Sequence, residues 1–144
     1  FPSLDQINIV PKYLPFPECV KNFQLAWTEG NYPMSGSKQP DFSGWCRFDP
    51  ELHANRAMNV SDIMTLMDVW PPGVLPMFKL PAPASTLTWQ VTFIHPLQNQ
   101  LNDWFKYKVI TDFAEHGYAT EHAYLWDEQN RLIAIARQTV TVFT

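Results

Sequence analysis

Asp68, Thr86 and Gln138 are the residues of this chain whose types and settings point to chemistry. Asp68 falls in the last turn of a helical pattern, among the apolar neighbours Met64, Met67, Val69 and Trp70. Partial desolvation and the negative end of the helix dipole would both raise its pKa, which suits a base in a cleft and equally a hydrogen-bonded cap. Thr86 opens a long strand, where β-propensity alone can explain a threonine. Gln138 sits well inside the last strand, between Arg137 and Thr139. An amide there costs burial energy unless it is hydrogen-bonded, lines a cavity or faces solvent. Asp62, about one and a half turns before Asp68 on a flank shared with Asn55 and Asn59, reads as a solvated surface charge.

The common covalent and cofactor templates are missing. Among five glycines there is no GxSxG elbow, P-loop or GxGxxG, and neither Cys19 nor Cys46 opens an electropositive helix. Two cysteines without a CxxC neighbour make neither a disulfide framework nor a four-ligand zinc site, so free thiols in a cytoplasmic protein are expected. His53, His95, His116 and His122 are scattered, with no i, i+4 pair for a metal. No metal and no cofactor is therefore expected. The aromatic content of 15%, with six Trp and ten Phe, exceeds what one small core needs. Trp70, Trp89 and Phe93 are the candidates to line a groove for substrate.

These residues need a scaffold, and 144 residues at 46% hydrophobic and 17% charged suffice for one domain with a real core. A net charge of −4 argues against nucleic acid as a partner. No apolar run approaches the ~20 residues of a membrane span, so a soluble protein is expected. The first residue is Phe1, and no basic-then-apolar leader follows, so the chain reads as a fragment or a processed product.

Proline sets the layout, because it cannot donate to a ladder, and all thirteen lie at or before Pro96. Residues 1–44 read as a Pro-rich arm or linker with one strand around Val20 to Trp27, and residues 45–144 as the folded domain. Within it, Val60, Ile63, Met64, Met67 and Trp70 recur at helical spacing, predicting one helix from about Leu52 to Trp70 that Pro71-Pro72-Gly73 ends. In Thr86 to Phe93, Leu87, Trp89, Val91 and Phe93 alternate against Thr86, Thr88, Gln90 and Thr92, which predicts a strand. Trp104 to Phe113, Tyr118 to Trp126 and Arg131 to Phe143 predict three more, the last two forming a hairpin across Asp127-Glu128-Gln129-Asn130. One helix and four antiparallel strands make an α+β domain, in which the long sheet must curve around the central helix. A lone sheet keeps an open edge, so a homodimer, or pairing with a second half in a longer chain, is expected.

Three segments in this order resemble the carboxy-terminal hotdog domain of type II acyl-CoA thioesterases and their thioesterase-like relatives. They are Leu66-Met67-Asp68-Val69-Trp70-Pro71-Pro72, the Thr-bearing strand Ala84 to Pro96, and the hairpin Leu125 to Ala134 followed by Arg137-Gln138. The resemblance covers about residues 45 to 144 and implies the hotdog fold. It also implies a hydrolase that cleaves acyl-CoA to fatty acid and CoA, without cofactor, through a water oriented by an Asp, a Thr and a Gln. Carried over, these are Asp68, Thr86 and Gln138, with Asp62 as the other carboxylate the match could use. The family pairs two hotdogs in one chain, so the arm would be the linker to an amino-terminal half. Two rival readings are a non-catalytic hotdog that binds acyl thioesters or serves assembly, and a hotdog dehydratase or hydratase using His53 near the helix start.

Overall fold

The computed structural model describes residues 1–143. Its one α-helix, α1 (Val60–Asp68), lies against one face of a six-stranded antiparallel sheet. The strands are β1 (Phe23–Gly30), β2 (Phe42–Phe48), β3 (Ala84–Phe93), β4 (Phe105–Glu115), β5 (Tyr118–Asp127) and β6 (Leu132–Val142). Their order across the sheet is β1-β2-β4-β5-β6-β3, so β1 and β3 are the edges. Proline-free sequence builds the centre of this sheet, where every strand must donate on both sides.

The helix starts later than the apolar spacing suggests. Ala57 bridges to Gln100, and the Met58 N–H donates to the Asn99 carbonyl, so the backbone before Asn59 is committed to a strand-like contact. Asn59 then begins the helix with a capping box: its side chain accepts from the Asp62 N–H at 3.1 Å, and the Asp62 carboxylate accepts from the Asn59 N–H at 2.9 Å. Ile63, Leu66 and Met67 are buried along the face turned to the sheet. They share the main core with Phe105, Val109, Leu125 and Ile133 from the central strands, all fully buried.

The arm expected over residues 1–44 is instead part of the domain. The second half of that stretch supplies β1, and the expected boundary at Gly44 falls inside β2. Val10, Phe23, Leu25 and Phe42 belong to the main core. The first residues also close over the sheet's outer face, where the Trp45 indole N–H donates to the Pro2 carbonyl and Phe1 packs edge-on against Trp45. Gly44 is needed where β2 lies against β1, because a Cβ there would collide with the Ala26 carbonyl oxygen and stand 2.9 Å from the Trp70 ring.

Asp127 fixes the β5–β6 hairpin. One of its carboxylate oxygens accepts from the backbone N–H groups of Gln129 and Arg131, and the other from the Arg131 side chain at 3.0 Å. Burial alone would push this carboxyl up, but these bonds, a contact from Asn99 and the Arg131 charge together hold it below its usual value.

Candidate active site

In an antiparallel sheet, residues directly opposite one another share a face. Thr111 on β4 faces Glu121 on β5, Glu121 faces Gln138 on β6, and Gln138 faces Trp89 on β3. Glu121 has the strand parity of the buried Ala119, Ala123 and Leu125, so this row lies on the helix side of the sheet. A polar band thus crosses an otherwise apolar face.

Thr86 joins the band through a β-bulge. It pairs with Val140 while Thr88 pairs with Thr139, so Leu87 is an extra residue between them. Simple alternation would put Thr86 on the face opposite Trp89. The bulge instead places Thr86 and Trp89 on one face and leaves Leu87 exposed. Gln138 Nε2 then donates to Thr86 Oγ1 at 2.6 Å. In this bond the threonine hydroxyl is acceptor, so its own O–H remains free to donate, and Gln138 Oε1 remains free to accept. A water seated on the pair meets one donor and one acceptor.

The end of α1 and the loop after it form the other wall. Glu121 Oε2 accepts from the Gly73 N–H at 2.7 Å, and the Gly73 carbonyl accepts from the Asp41 N–H at 2.7 Å. The loop is thereby tied to β5 on one side and to the entry of β2 on the other. Burial pushes the Glu121 carboxyl up to about 7, opposed by the Gly73 N–H and reinforced by the negative charges of Asp41 and Asp112. Tyr107 is likewise raised well above its usual value, first by burial and then by the negative charges of Glu121 and Asp68. The same phenol therefore feels both the buried carboxylate on β5 and the one at the helix end.

Asp68, the last residue of α1, is exposed, so the desolvation expected for it is absent. Thr86 is exposed near the open edge and Gln138 is half-buried. Asp62 is not the solvated charge expected. It is 7% exposed at the opposite end of the helix, where the Arg56 guanidinium, 2.7 Å away, holds its carboxyl below the usual range. Trp70 does not line a groove as expected. It is 5% exposed and stacked on Tyr107, with ring centres 4.9 Å apart and planes 6° off parallel. Trp89 and Phe93 do lie on the open half of the helix-side face, half-buried and exposed respectively. His53 precedes the helix and packs edge-on against Phe48. The Cys46 thiol, pushed up to about 12 by burial, is held protonated in the core.

Among the described residues no cluster of His, Cys, Asp and Glu could hold a metal ion, and no helix is long and apolar enough to cross a membrane.

Glu121 is the site residue that the sequence reading does not pick out. A signal for it exists: a carboxylate at a core-facing position of β5, in phase with Ala119, Ala123 and Leu125.

A single helix laid on a six-stranded antiparallel sheet defines a hotdog-fold protein. The chain belongs to the acyl-CoA thioesterase C-terminal domain family, whose model matches residues 3–142. No curated protein matches its sequence. Among solved structures, a hotdog-fold protein of unknown function from Alicyclobacillus acidocaldarius superposes with a TM-score of 0.83 at 20% identity, over 100% of this chain and 53% of that one. An acyl-CoA thioesterase II from Mycobacterium marinum gives 0.63 at 16% identity, over 99% and 58%. A thioesterase from Haemophilus influenzae gives 0.60 at 9% identity, over 88% and 82%. The chain thus spans about half the length of the first two.

Proposed function

We propose that the protein hydrolyses acyl-CoA thioesters to fatty acid and CoA through a water held by Thr86 and Gln138 and oriented by Asp68. The observation that carries this reading is the 2.6 Å bond from Gln138 to Thr86, which leaves one donor and one acceptor for that water. Bringing a single water to an activated carbonyl supplies much of what thioester hydrolysis requires, and no cofactor enters. Trp89 and Phe93, on the same face as Gln138, would line the path of the acyl chain. A cytoplasmic setting suits the free thiols Cys19 and Cys46.

A partner completes the proposal. Edge strand β3 carries Leu87, next to the Thr86–Gln138 pair, and Phe93 at its far end exposed, with Ile94 just beyond it. A second copy, or a second hotdog half in a longer chain, would pair there and cover the site. The test is thiol release from an acyl-CoA by the wild-type protein and by Asp68→Asn. Loss of about 100-fold or more in kcat with the fold intact is expected. Unchanged hydrolysis in the variant would remove Asp68 from the site, and acyl-CoA binding without turnover by the wild type would favour a non-catalytic acyl-thioester-binding domain.

A further inference from the structure

Glu121 is 3% exposed and belongs to none of the ion pairs among the described residues. It stands directly opposite Gln138 on one side and Thr111 on the other, on the face that holds the Thr86–Gln138 pair. The buried Thr111 hydroxyl beside it has no hydrogen-bond partner. We infer, resting on the hydrolase reading above, that Glu121 is the catalytic group that takes the proton from the attacking water, while Asp68 orients that water.

A purely structural role would require less than a carboxylate. Tying Gly73 to β5 needs only one neutral acceptor for its N–H. A glutamine would do this without the cost of an uncompensated buried charge. Apart from the Gly73 N–H, the groups around Glu121 offer its charge no relief. Asp41 precedes β2, and Asp112, which His122 of β5 pairs at 2.8 Å, lies on β4 with the Tyr107 phenol; both carboxylates push the Glu121 carboxyl up. The loop Pro71-Pro72-Gly73-Val74 packed over it contains no titratable side chain. With a pKa of about 7, the carboxylate is present at neutral pH yet basic enough to accept a proton, which is where a general base works best.

The step balances simply. The water oxygen bonds to the thioester carbonyl carbon, and one water proton passes to the Glu121 carboxylate. The C–S bond then breaks, and that proton goes to the departing thiolate. A carboxylic acid and a thiol leave, and Glu121 is again a carboxylate.

The experiment is the pH profile of kcat/KM for thiol release from an acyl-CoA, for the wild type, Glu121→Gln and Asp68→Asn. Glutamine can still accept the Gly73 N–H, and an unchanged Gly73 amide resonance would show that the loop is held. The wild type should lose activity tenfold per pH unit below about 7, and Glu121→Gln should fall by about 10²- to 10⁴-fold and lose that limb. Asp68→Asn should be slower but keep the limb. A wild type that turns over while Glu121→Gln retains its rate and its acid limb overturns the assignment and leaves the hydrolase reading standing. A wild type that releases no thiol at any pH overturns both.

Discussion

Glu121 illustrates at the scale of one residue how burial and charge set a property that residue type does not. Its carboxyl moves from a usual 4.5 to about 7 because the native state removes water and places other acids nearby. A group that binds its proton more tightly when folded favours the native state below pH 4.5, and that advantage disappears as pH rises through 7. At about 1.4 kcal/mol for each tenfold change in proton affinity, ionised Glu121 costs the fold about 3 kcal/mol above pH 7. Glu121→Gln should therefore match the wild type near pH 4 in urea unfolding and exceed it increasingly toward pH 8. A constant difference across that range would contradict the raised value. The sequence shows Thr86 and Gln138 as polar residues in strands, but their contact depends on a bulge that only pairing with β6 reveals. Asp68 is legible as a helix-end residue but its exposure is not, because apolar sequence neighbours on a helix need not surround the side chain.

At the scale of elements, period and punctuation carry most of the information. The four expected strands appear as β3 to β6, and the last two form the expected hairpin. The helix is shorter at its start than its apolar spacing predicts because an isolated bridge, not local propensity, claims the backbone before Asn59. The strand expected around Val20 to Trp27 appears as β1, and β2 joins it in the sheet because the core accepts Leu25 and Phe42 from them. The β5–β6 turn rests on Asp127, so Asp127→Asn can keep the two backbone bonds on its amide oxygen but loses the charge-assisted one to Arg131, because the amide NH2 in place of the second oxygen cannot accept. The expected cost is about 2 kcal/mol in urea unfolding at neutral pH. The cost should shrink on acidification, because the lowered carboxyl stabilises only where it is ionised, and that contribution fades as pH falls through its folded value. A neutral effect at pH 7 would mean the turn is held by other contacts.

At the scale of the whole molecule, one side of the sheet is finished and the other is open. α1 and the main core cover β2, β4 and β5, while the β3 edge leaves Leu87 exposed beside the polar band and Phe93 exposed farther along. Pairing with a second copy should give a sedimenting particle of about twice 16.7 kDa, and a strict monomer at high concentration would contradict pairing by the chain itself. The hydrolase reading is tested most directly by thiol release from acyl-CoAs of increasing chain length. Release with a chain-length optimum, lost in Asp68→Asn, is the predicted result; no release from any member of the series by the wild-type protein would contradict it.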